Sequence, residues 1–331
     1  MGTSQAKVPE LQSLLERHLP QPYRFYRDFV PQRALQTLAK ARVRRLIERV
    51  GTEIVLFEEM GRDLGAGGWA TLPLYSEQFG FGAGRIEFLV SDGNYRESCR
   101  IKTGLLDRIV DASRSRGVRH LTAHVQPSDL STIHTLEKAS FEMIEGIQTF
   151  TLSLRSNNTT RPAIFATRLF APNDLEQVLA IARTGYAYDR FHADAALSKD
   201  AADAVNEVWV RNACLGRTAD AMMVVVEAGD VLGYATCKVD AEAADCLGVS
   251  LGSISTVATA SHARRRGVGR SAVMAALDWF RQHRVEAVDA GIQLQNIPAA
   301  RLYERCGFQQ ADIGLTFRKL IRKTDAATPL V

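Results

Sequence analysis

The sequence predicts an α/β protein with two similar halves, in each of which helices flank a mixed, twisted sheet. Residues 105–154 and 272–321 share one order: helix, short apolar strand, polar turn, second helix, phenylalanine and final strand. Equivalent residues lie 167 positions apart, as in Val118 and Val285, Phe141 and Phe308, and Phe150 and Phe317. A constant offset indicates an internal duplication. Chance similarity of two βαβ units is the alternative.

The composition limits the class of protein. The chain has 331 residues, 46% of them hydrophobic, which is enough for two cores. A formal net charge of +4 is too small to indicate a nucleic-acid partner. The five cysteines include no C-x-x-C pair, so we expect reduced thiols, no disulfide framework and no metal site. Since no apolar stretch approaches roughly 18 residues and no secretory region is evident, we expect a cytoplasmic protein without membrane association.

A glycine- and arginine-rich loop lies in the second half, between a β-branched strand end and a helix. Val257 and Thr259 belong to the strand end, and the loop proper, residues 264–270, reads Arg-Arg-Arg-Gly-Val-Gly-Arg. Glycines allow close approach to the backbone, and a helix N-terminus presents amide groups to an anion. We therefore expect a diphosphate site here, and we call residues 264–270 the arginine loop.

Several motifs compete for this loop. A Walker loop would need a lysine after the glycines, and none follows. A dinucleotide fingerprint would place a third glycine at Ala272 and an acidic residue about 20 positions on, which is not evident. The pattern R-x-x-G-x-G/A is met by Arg264, Gly267 and Gly269, and it resembles the coenzyme A pyrophosphate loop of the GCN5-related N-acetyltransferases (GNAT superfamily). A basic turn that caps a surface helix is the simplest alternative.

A second motif lies downstream, from Asn296 to Phe308. It resembles the N-x-x-A-x-x-x-Y-x-x-x-G-F signature of the same superfamily. Asn296 is suited to cap a helix whose first turn contains Pro298, and Gly307 is suited to end it. Together the two motifs imply acetyl-CoA as co-substrate. The implied binding residues are Val257, Thr259, Arg264, Arg265, Arg266, Gly267, Val268, Gly269, Arg270 and Asn296, with backbone amides near Val257 and Thr259 holding the pantetheine arm.

Tyr303 is the candidate general acid of this motif. An amine that attacks the thioester expels a thiolate, and a thiol has a pKa of about 8.5 against about 10 for tyrosine. A neutral phenol can therefore donate a proton to the leaving sulfur. The alternative is an aromatic residue that only packs between helices.

The first half lacks these groups. Leu136 stands where Tyr303 does, Asp129 replaces Asn296, and Arg100 and Lys102 replace the two loop glycines. We expect this half to be a degenerate copy that supports or supplies the acceptor site.

The predicted domains are a helical extension over 1–50, the degenerate half over 51–155 and the catalytic domain over 162–323. Within the extension, Leu35, Leu38 and Val43 are spaced for one face of a helix. A polar linker, residues 155–162, separates the two halves.

Two further segments make the resemblance to a subgroup of this superfamily more specific. They read YAYDRFHADAALSKDAADAVNEVWVRNACLG and LPLYSEQFGFGAGRI. They are similar to dTDP-fucosamine acetyltransferases and related enzymes, with departures such as Tyr75 in the second segment. This resemblance implies a primary amine acceptor, a nucleotide-linked 4-amino-dideoxy sugar. The implied acceptor-binding residues are Asp189, Arg190, Phe191 and Trp209. Alternatives are a secondary-metabolite, amino-acid or antibiotic amine, and a non-catalytic regulator that binds acyl-CoA. A homodimer is a further expectation.

The general base is predicted to come from the first half. Glu145 opens the final strand in FEMIEGIQTF, and a matching glutamate–glycine pair stands in the sugar acetyltransferases that the chain resembles. If the halves share a cleft, this strand would direct Glu145 at the acceptor amine. Asp189 and Asp194 are rival bases, and a solvated strand-end role for Glu145 is the alternative.

Overall fold

The computed structural model describes residues 8–27, 30–155, 163–186 and 188–322. Their helices and strands alternate in an α/β arrangement, as the sequence predicts. The α-helices are α1 (Val8–His18), α2 (Gln32–Glu48), α3 (Pro73–Phe79), α4 (Tyr95–Ser115), α5 (Leu130–Lys138), α6 (Leu175–Gly185), α7 (Arg190–Ala193), α8 (Lys199–Cys214), α9 (Ala241–Leu247), α10 (Val268–Gln282) and α11 (Ile297–Arg305).

The strands run from the end of the N-terminal helices almost to the end of the described chain. They are β1 (Thr52–Glu59), β2 (Arg62–Thr71), β3 (Gly82–Ser91), β4 (Val118–Val125), β5 (Glu142–Ser153), β6 (Ala166–Leu169), β7 (Ala221–Glu227), β8 (Asp230–Val239), β9 (Leu251–Ser253), β10 (Val257–Thr259), β11 (Ala287–Gln293) and β12 (Gln309–Leu320). Of the predicted linker, only Arg155 lies within the described residues.

The chain forms two compact units. Unit 1 contains residues 8–27, 35–146 and 314–322, and unit 2 contains 30–34 together with the described part of 147–313. The units therefore do not follow the predicted ranges 51–155 and 162–323 in a simple way. The helices within the first 50 residues are mostly part of unit 1.

Unit 1 is built on a mixed sheet in the order β1-β2-β3-β4-β12. β3 and β4 are parallel, and the other neighbours are antiparallel. One core lies between this sheet and the helices α4 and α5, around Leu105, Ile109 and Leu121, which are fully buried. A second core joins α1 and α2 to β2 and β3 through Leu11, Leu14, Leu15, Val43, Ala66, Phe88 and Val90. The periodicity of the N-terminal helices is thus explained by packing within the unit.

Unit 2 is built on a second mixed sheet in the order β5-β11-β9-β8-β7-β6, with β10 paired to β8. Helix α10 buries Val273, Leu277 and Phe280 completely against it, the face that the helical spacing predicts. β7 and β8 form a hairpin that turns at Ala228 and Gly229, both in the left-handed region, with φ of 52° and 95°. Two such residues are typical of a type I′ turn.

The final strand of each repeated half crosses into the other unit. β5 begins in unit 1, but its residues 147–153 pair with β11 of unit 2. β12 begins in unit 2, but its residues 315–320 pair with β4 of unit 1. The predicted two-half architecture is confirmed, and its last strands are exchanged.

Candidate active site

The sheet of unit 2 divides in front of the arginine loop. β9 pairs with β11 in parallel over Leu251–Ser253, and the chain then leaves β11. After a break at residues 254–256, β10 pairs antiparallel with β8 and, in the described part of the chain, with no other strand. An edge of β10 is therefore left open toward the gap.

The hydrogen bonds to β8 show which amides face this gap. Ala260 N–H donates to Leu232 O, and Thr236 N–H donates to Thr256 O, at 2.9 and 3.0 Å. In an antiparallel ladder, bonded pairs alternate with pairs whose groups point outward. The N–H and C=O groups of Val257 and Thr259 therefore point away from β8, as an extended acyl arm would require.

The helix that follows begins without a side-chain cap. Gly267 is its N-cap residue, in the left-handed region at φ 95°. Ser271 N–H donates to Gly267 O at 3.0 Å, the first bond of the helix. The N–H groups of Val268, Gly269 and Arg270 therefore have no acceptor within α10. Aligned peptide dipoles add partial positive charge at this end, which suits a diphosphate.

Both loop glycines are needed for close packing. A Cβ at Gly267 would lie 2.8 Å from Cδ1 of Ile164, in addition to the strain of its positive φ. A Cβ at Gly269 would lie 3.3 Å from Leu302 Cδ2 and 3.4 Å from Thr259 Oγ1. Gly269 thus allows α10 to approach β10 and α11 together, which brings the two sequence motifs into one site.

The three consecutive arginines have different surroundings. Arg264 donates to the carbonyl of Thr184 at 3.3 Å. Arg266 binds Glu227 at 2.8 Å and stacks over the ring of Phe165 at 5.3 Å. Arg265 is exposed, has a φ of 66°, and forms no hydrogen bond or ion pair with a described residue. Of the three, Arg265 is the cation most available to a phosphate.

The second motif forms α11 as its residues predict. Asn296 caps the helix by accepting Ala299 N–H at 3.1 Å, and Gly307 ends it at φ 92°. Tyr303 is only 4% exposed, and its ring packs against Phe150 and Phe308, with centroids 6.3 and 5.1 Å away. Burial raises the pKa of Tyr303 far above its usual value. Its hydroxyl therefore stays protonated at neutral pH.

A set of hydroxyl groups beside the strand break was missed by sequence reasoning. The Tyr186 and Tyr234 hydroxyls lie 3.0 Å apart, and those of Thr236 and Thr256 lie 3.1 Å apart. We call these four residues the hydroxyl cluster, since Tyr186 also hydrogen-bonds to Thr256. Burial raises the pKa of Tyr186 to about 12 and that of Tyr234 well above normal. No local pattern could reveal this cluster, because 70 residues separate Tyr186 from Thr256.

Asp189 is used to hold the chain in place. Its carboxylate accepts the N–H groups of Phe191 and His192 at the start of α7, at 2.9 and 3.1 Å. It also lies 2.8 Å from His192 Nδ1 and accepts Asn206 Nδ2 at 3.0 Å. With these contacts it serves structurally as a helix cap, so a direct acceptor contact or a role as base stays only a prediction.

The other predicted acceptor residues lie together. The rings of Phe191 and Trp209 are 5.3 Å apart and edge to face. The Arg190 guanidinium lies over both rings, 4.5 Å from Phe191 and 5.6 Å from Trp209. Phe191 is only 3% exposed, so of the two rings only that of the half-buried Trp209 presents apolar surface beside the positive charge. Contact of these residues with an acceptor stays a prediction.

The two remaining candidate carboxylates, Glu145 and Asp194, are both buried. Glu145 lies on β5 within unit 1 and is only 3% exposed, so it is not a solvated strand-end residue. Asp194 is 1% exposed and accepts Ala196 N–H at 3.0 Å. The role of Glu145 as base stays a prediction.

The counterpart of the arginine loop in unit 1 is helical. Asn94 and Glu97 form a capping box, so α4 begins at Tyr95 and includes residues 97–100, which correspond to 264–267. Lys102 is 5% exposed and donates to Asp129 at 2.9 Å, and to Ser131 and Thr132 at 2.8 Å. A helix turn with a buried lysine thus stands where unit 2 has its glycine loop.

Comparison with known proteins agrees with this geometry. Residues 188–308 match the Acetyltransferase (GNAT) family. The chain carries a domain of the GNAT family. Members of this family use acetyl-CoA, and the GNAT domain lies entirely within unit 2.

Two curated relatives match the chain in part. The spore coat polysaccharide biosynthesis protein SpsD of Bacillus subtilis is 32% identical over 139 residues, which are 41% of this chain and 44% of SpsD. A mycothiol acetyltransferase of Renibacterium salmoninarum is 21% identical over 203 residues, 60% of this chain and 57% of the relative. The chain thus spans about half the length of the curated relatives that it matches.

A solved structure shares the fold over nearly the whole chain. A tandem GNAT protein from the clavulanic acid biosynthesis pathway superposes with a TM-score of 0.58 at 17% identity, covering 98% of both chains. This likeness shows the fold with two GNAT-like halves. Among the described residues, no group of three or more His, Cys, Asp or Glu side chains is placed to hold a metal ion. In the same part of the chain, no helix is both long and apolar enough to cross a membrane.

Proposed function

We propose that the chain transfers an acetyl group from acetyl-CoA to a primary amine. The observation that carries this proposal is the open edge of β10, which ends beside an uncapped helix N-terminus in the same unit as Tyr303. An elongated thioester with a diphosphate needs both features, and the GNAT domain spans them.

The residues present fit acetyl-CoA. The outward amides of Val257 and Thr259 would bond to the pantetheine arm in the manner of an added strand. The amides of residues 268–270 and the Arg265 side chain would hold the diphosphate. Asn296 would contribute indirectly, by capping α11 and so fixing the start of the helix that carries Tyr303.

Acetyl-CoA would supply an activated acyl group with a thiolate leaving group. Tyr303 would hold a proton at the sulfur, because burial keeps the phenol neutral. The raised pKa of Tyr303 also makes complete transfer of its proton to the thiolate sulfur less favourable. Tyr303 therefore acts best as a relay, donating toward sulfur while recovering a proton from the attacking nitrogen.

For the acceptor, we propose a nucleotide-linked 4-amino-dideoxy sugar. The similarity to a protein of spore coat polysaccharide biosynthesis supports a sugar-related amine. The pair of Arg190 and the half-buried Trp209 supports it too, since an aromatic face and a guanidinium suit a sugar ring beside a phosphate. The match to a mycothiol acetyltransferase favours a different amine and is the second candidate.

The test is an amine screen with acetyl-CoA that follows release of free thiol. The panel contains nucleotide-linked 4-amino sugars, the same sugars without nucleotide, amino acids, aminoglycosides and the mycothiol precursor amine. We expect thiol release to depend on the amine and to be fastest with the nucleotide-linked sugars. Faster turnover of another class would replace the acceptor but keep the reaction. Tight acetyl-CoA binding without thiol release would instead identify a non-catalytic regulator.

A further inference from the structure

Asp289 lies where the sheet of unit 2 divides. It pairs with Ser253, the last residue of β9, and its carbonyl accepts the N–H of Ile254 at 2.9 Å. Beyond this bond the chain turns away from β11 toward β8. β9 and β11 separate after this bond, and a gap opens between β10 and β11. Asp289 lies at the end of the gap where the strands are still paired, and the outward amides of Val257 and Thr259 line its other side.

The preceding residue, Val288, shows to which face of the sheet the Asp289 side chain points. Val288 pairs with Gly252, where an added Cβ would lie 2.6 Å from the Phe280 ring of α10. Successive side chains of a strand point to opposite faces. Asp289 therefore points away from α10, toward the opposite face of the sheet.

Helix α6 and the hydroxyl cluster lie on that same face. An added Cβ at Gly185, the last residue of α6, would lie 3.1 Å from the Cβ of Ala258. Ala258 pairs with Tyr234, whose hydroxyl meets that of Tyr186. The carboxylate and the hydroxyl cluster thus share the face of the divided strands opposite α10.

The carboxylate is partly shielded and close to the predicted acid. Asp289 is half-buried, and its Oδ2 atom is out of contact with solvent. Burial is the main cause of the raised pKa of Tyr303, and the negative charge of Asp289 contributes to it. Phe150, against which the Tyr303 ring packs, pairs with Ala290, the residue that follows Asp289 on β11. A carboxylate here also attracts the ammonium form of an amine.

We infer that Asp289 is the general base that takes the proton from the acceptor's ammonium group. This inference rests on the proposed acetyl transfer. Unlike Glu145, Asp289 belongs to the same unit as β10 and Tyr303, so the GNAT domain carries its own acid and base.

The protons balance as follows. Asp289 takes one proton from the ammonium, and the freed lone pair bonds to the thioester carbon. The C–S bond breaks, its electrons remain on sulfur, and sulfur takes the proton of Tyr303. The second proton of the nitrogen returns to Tyr303, and Asp289 releases its proton to solvent. The products are an amide, a thiol and one free proton.

Other groups near Asp289 are less suited to this task. Its strand partners, Ser253 on β9 and Thr151 on β5, do not ionise near neutral pH. Lys238 on β8 is a cation that binds Asp220 at 2.7 Å. Further titratable groups on elements that pack nearby include Glu145 on β5, Cys237 on β8, the tyrosines Tyr186, Tyr234 and Tyr303, and, on α9, which contacts β9, Glu242, Asp245 and Cys246.

The test compares Asp289→Asn with Glu145→Gln in the pH dependence of kcat. The kcat profile is used because kcat/KM also reports ionisation of the free amine. We expect Asp289→Asn to lower kcat about 10²–10⁴-fold, the scale for one acid–base group. Its kcat should then rise continuously with pH, since hydroxide or bulk water must take the proton. Asp289→Glu should recover part of the rate. Asp278→Asn, an exposed change on α10, is the matched control.

A series of amines adds a readout that a structural defect would not change. The loss caused by Asp289→Asn should be largest for the most basic amines, which are most protonated, and smallest for amines that are already neutral. An acidic limb retained in Asp289→Asn but lost in Glu145→Gln would overturn the inference. So would an equal loss across the amine series.

Failure of the inference can be told from failure of the proposed function. If wild-type protein acetylates an amine and Asp289→Asn keeps its rate and profile, only the assignment of the base is wrong. If the wild type binds acetyl-CoA but releases no thiol with any amine, the proposed function itself is wrong.

Discussion

Burial sets the protonation state of Tyr303, and that state limits what the residue can do. With 4% of its surface exposed between Phe150 and Phe308, the phenol remains neutral well above physiological pH. It is therefore suited to donate or relay a proton, and it cannot be the resting base.

Tyr303→Phe removes one oxygen and keeps both ring contacts. We expect kcat to fall about 10²–10⁴-fold, while the dissociation constant for acetyl-CoA, measured by calorimetry, changes little. Tyr95→Phe is the matched control, because it removes a phenol oxygen from a half-exposed residue of unit 1. Full turnover in Tyr303→Phe, with chemistry shown to limit the rate, would reduce Tyr303 to a packing residue.

Tyr186 links the hydroxyl cluster to the pH dependence of stability. Its folded pKa of about 12 exceeds an unfolded value near 10, so the folded chain keeps this proton longer. The resulting stabilisation is complete below pH 10 and is lost as pH rises toward 12. We expect the urea midpoint to fall less between pH 10 and 12 in Tyr186→Phe than in wild type. Tyr188→Phe, at an exposed site, should follow the wild type.

At the scale of elements, sequence reasoning was accurate where the structure is local. Asn296, Tyr303 and Gly307 lie within one helix and its caps, so their spacing alone predicts their arrangement. The left-handed Gly267 and the start of α10 follow in the same way from a glycine loop before an amphipathic helix.

Non-local arrangements were beyond the sequence. Asp289 carries no motif, and its importance depends on where β9 leaves β11. The exchange of β5 and β12 between units depends on pairing between distant segments, for which hydrophobic alternation gives no preference. The compact units therefore differ from the predicted ranges 51–155 and 162–323 at these two strands.

The uncapped start of α10 can be tested through Gly267→Glu. A Cβ there would lie 2.8 Å from Ile164 and strain a φ of 95°, and the carboxylate would add negative charge where we propose that the diphosphate binds. We expect acetyl-CoA binding to be lost in calorimetry. Gly216→Glu is the control for backbone strain, since Gly216 has a φ of 71° and open space around it. Wild-type affinity in Gly267→Glu would contradict the loop assignment.

The open edge of β10 makes a prediction about single amides. Val257→Pro removes an N–H that points away from β8, so the fold should survive while acetyl-CoA binding weakens. Loss of one hydrogen bond of about 0.5–1.5 kcal/mol corresponds to a factor of roughly 2–10 in affinity. Ala258→Pro removes an N–H that points toward β8, and we expect it to lower the melting temperature instead. Equal effects of the two variants on stability would contradict the assigned directions.

At the scale of the whole molecule, the two GNAT-like halves differ at the place of the arginine loop. In unit 1, the turn that would hold a phosphate is part of α4, and the ammonium of Lys102 is fixed by Asp129, Ser131 and Thr132. Freeing that side chain would break the hydrogen bonds that a buried ammonium group makes to three side chains, so the arrangement is not readily converted into a binding site.

We therefore expect one acetyl-CoA per chain in calorimetry, bound by unit 2. Gly267→Glu tests where this acetyl-CoA binds. If unit 2 holds the only site, the variant should bind no acetyl-CoA. No second, weaker binding phase should remain in the titration at high acetyl-CoA concentration. A stoichiometry of two, or one residual site in the variant, would show that unit 1 binds the cofactor despite its helical loop. Lys102→Met would then test whether that residual site uses the charge of this lysine: loss of the residual binding would show that it does.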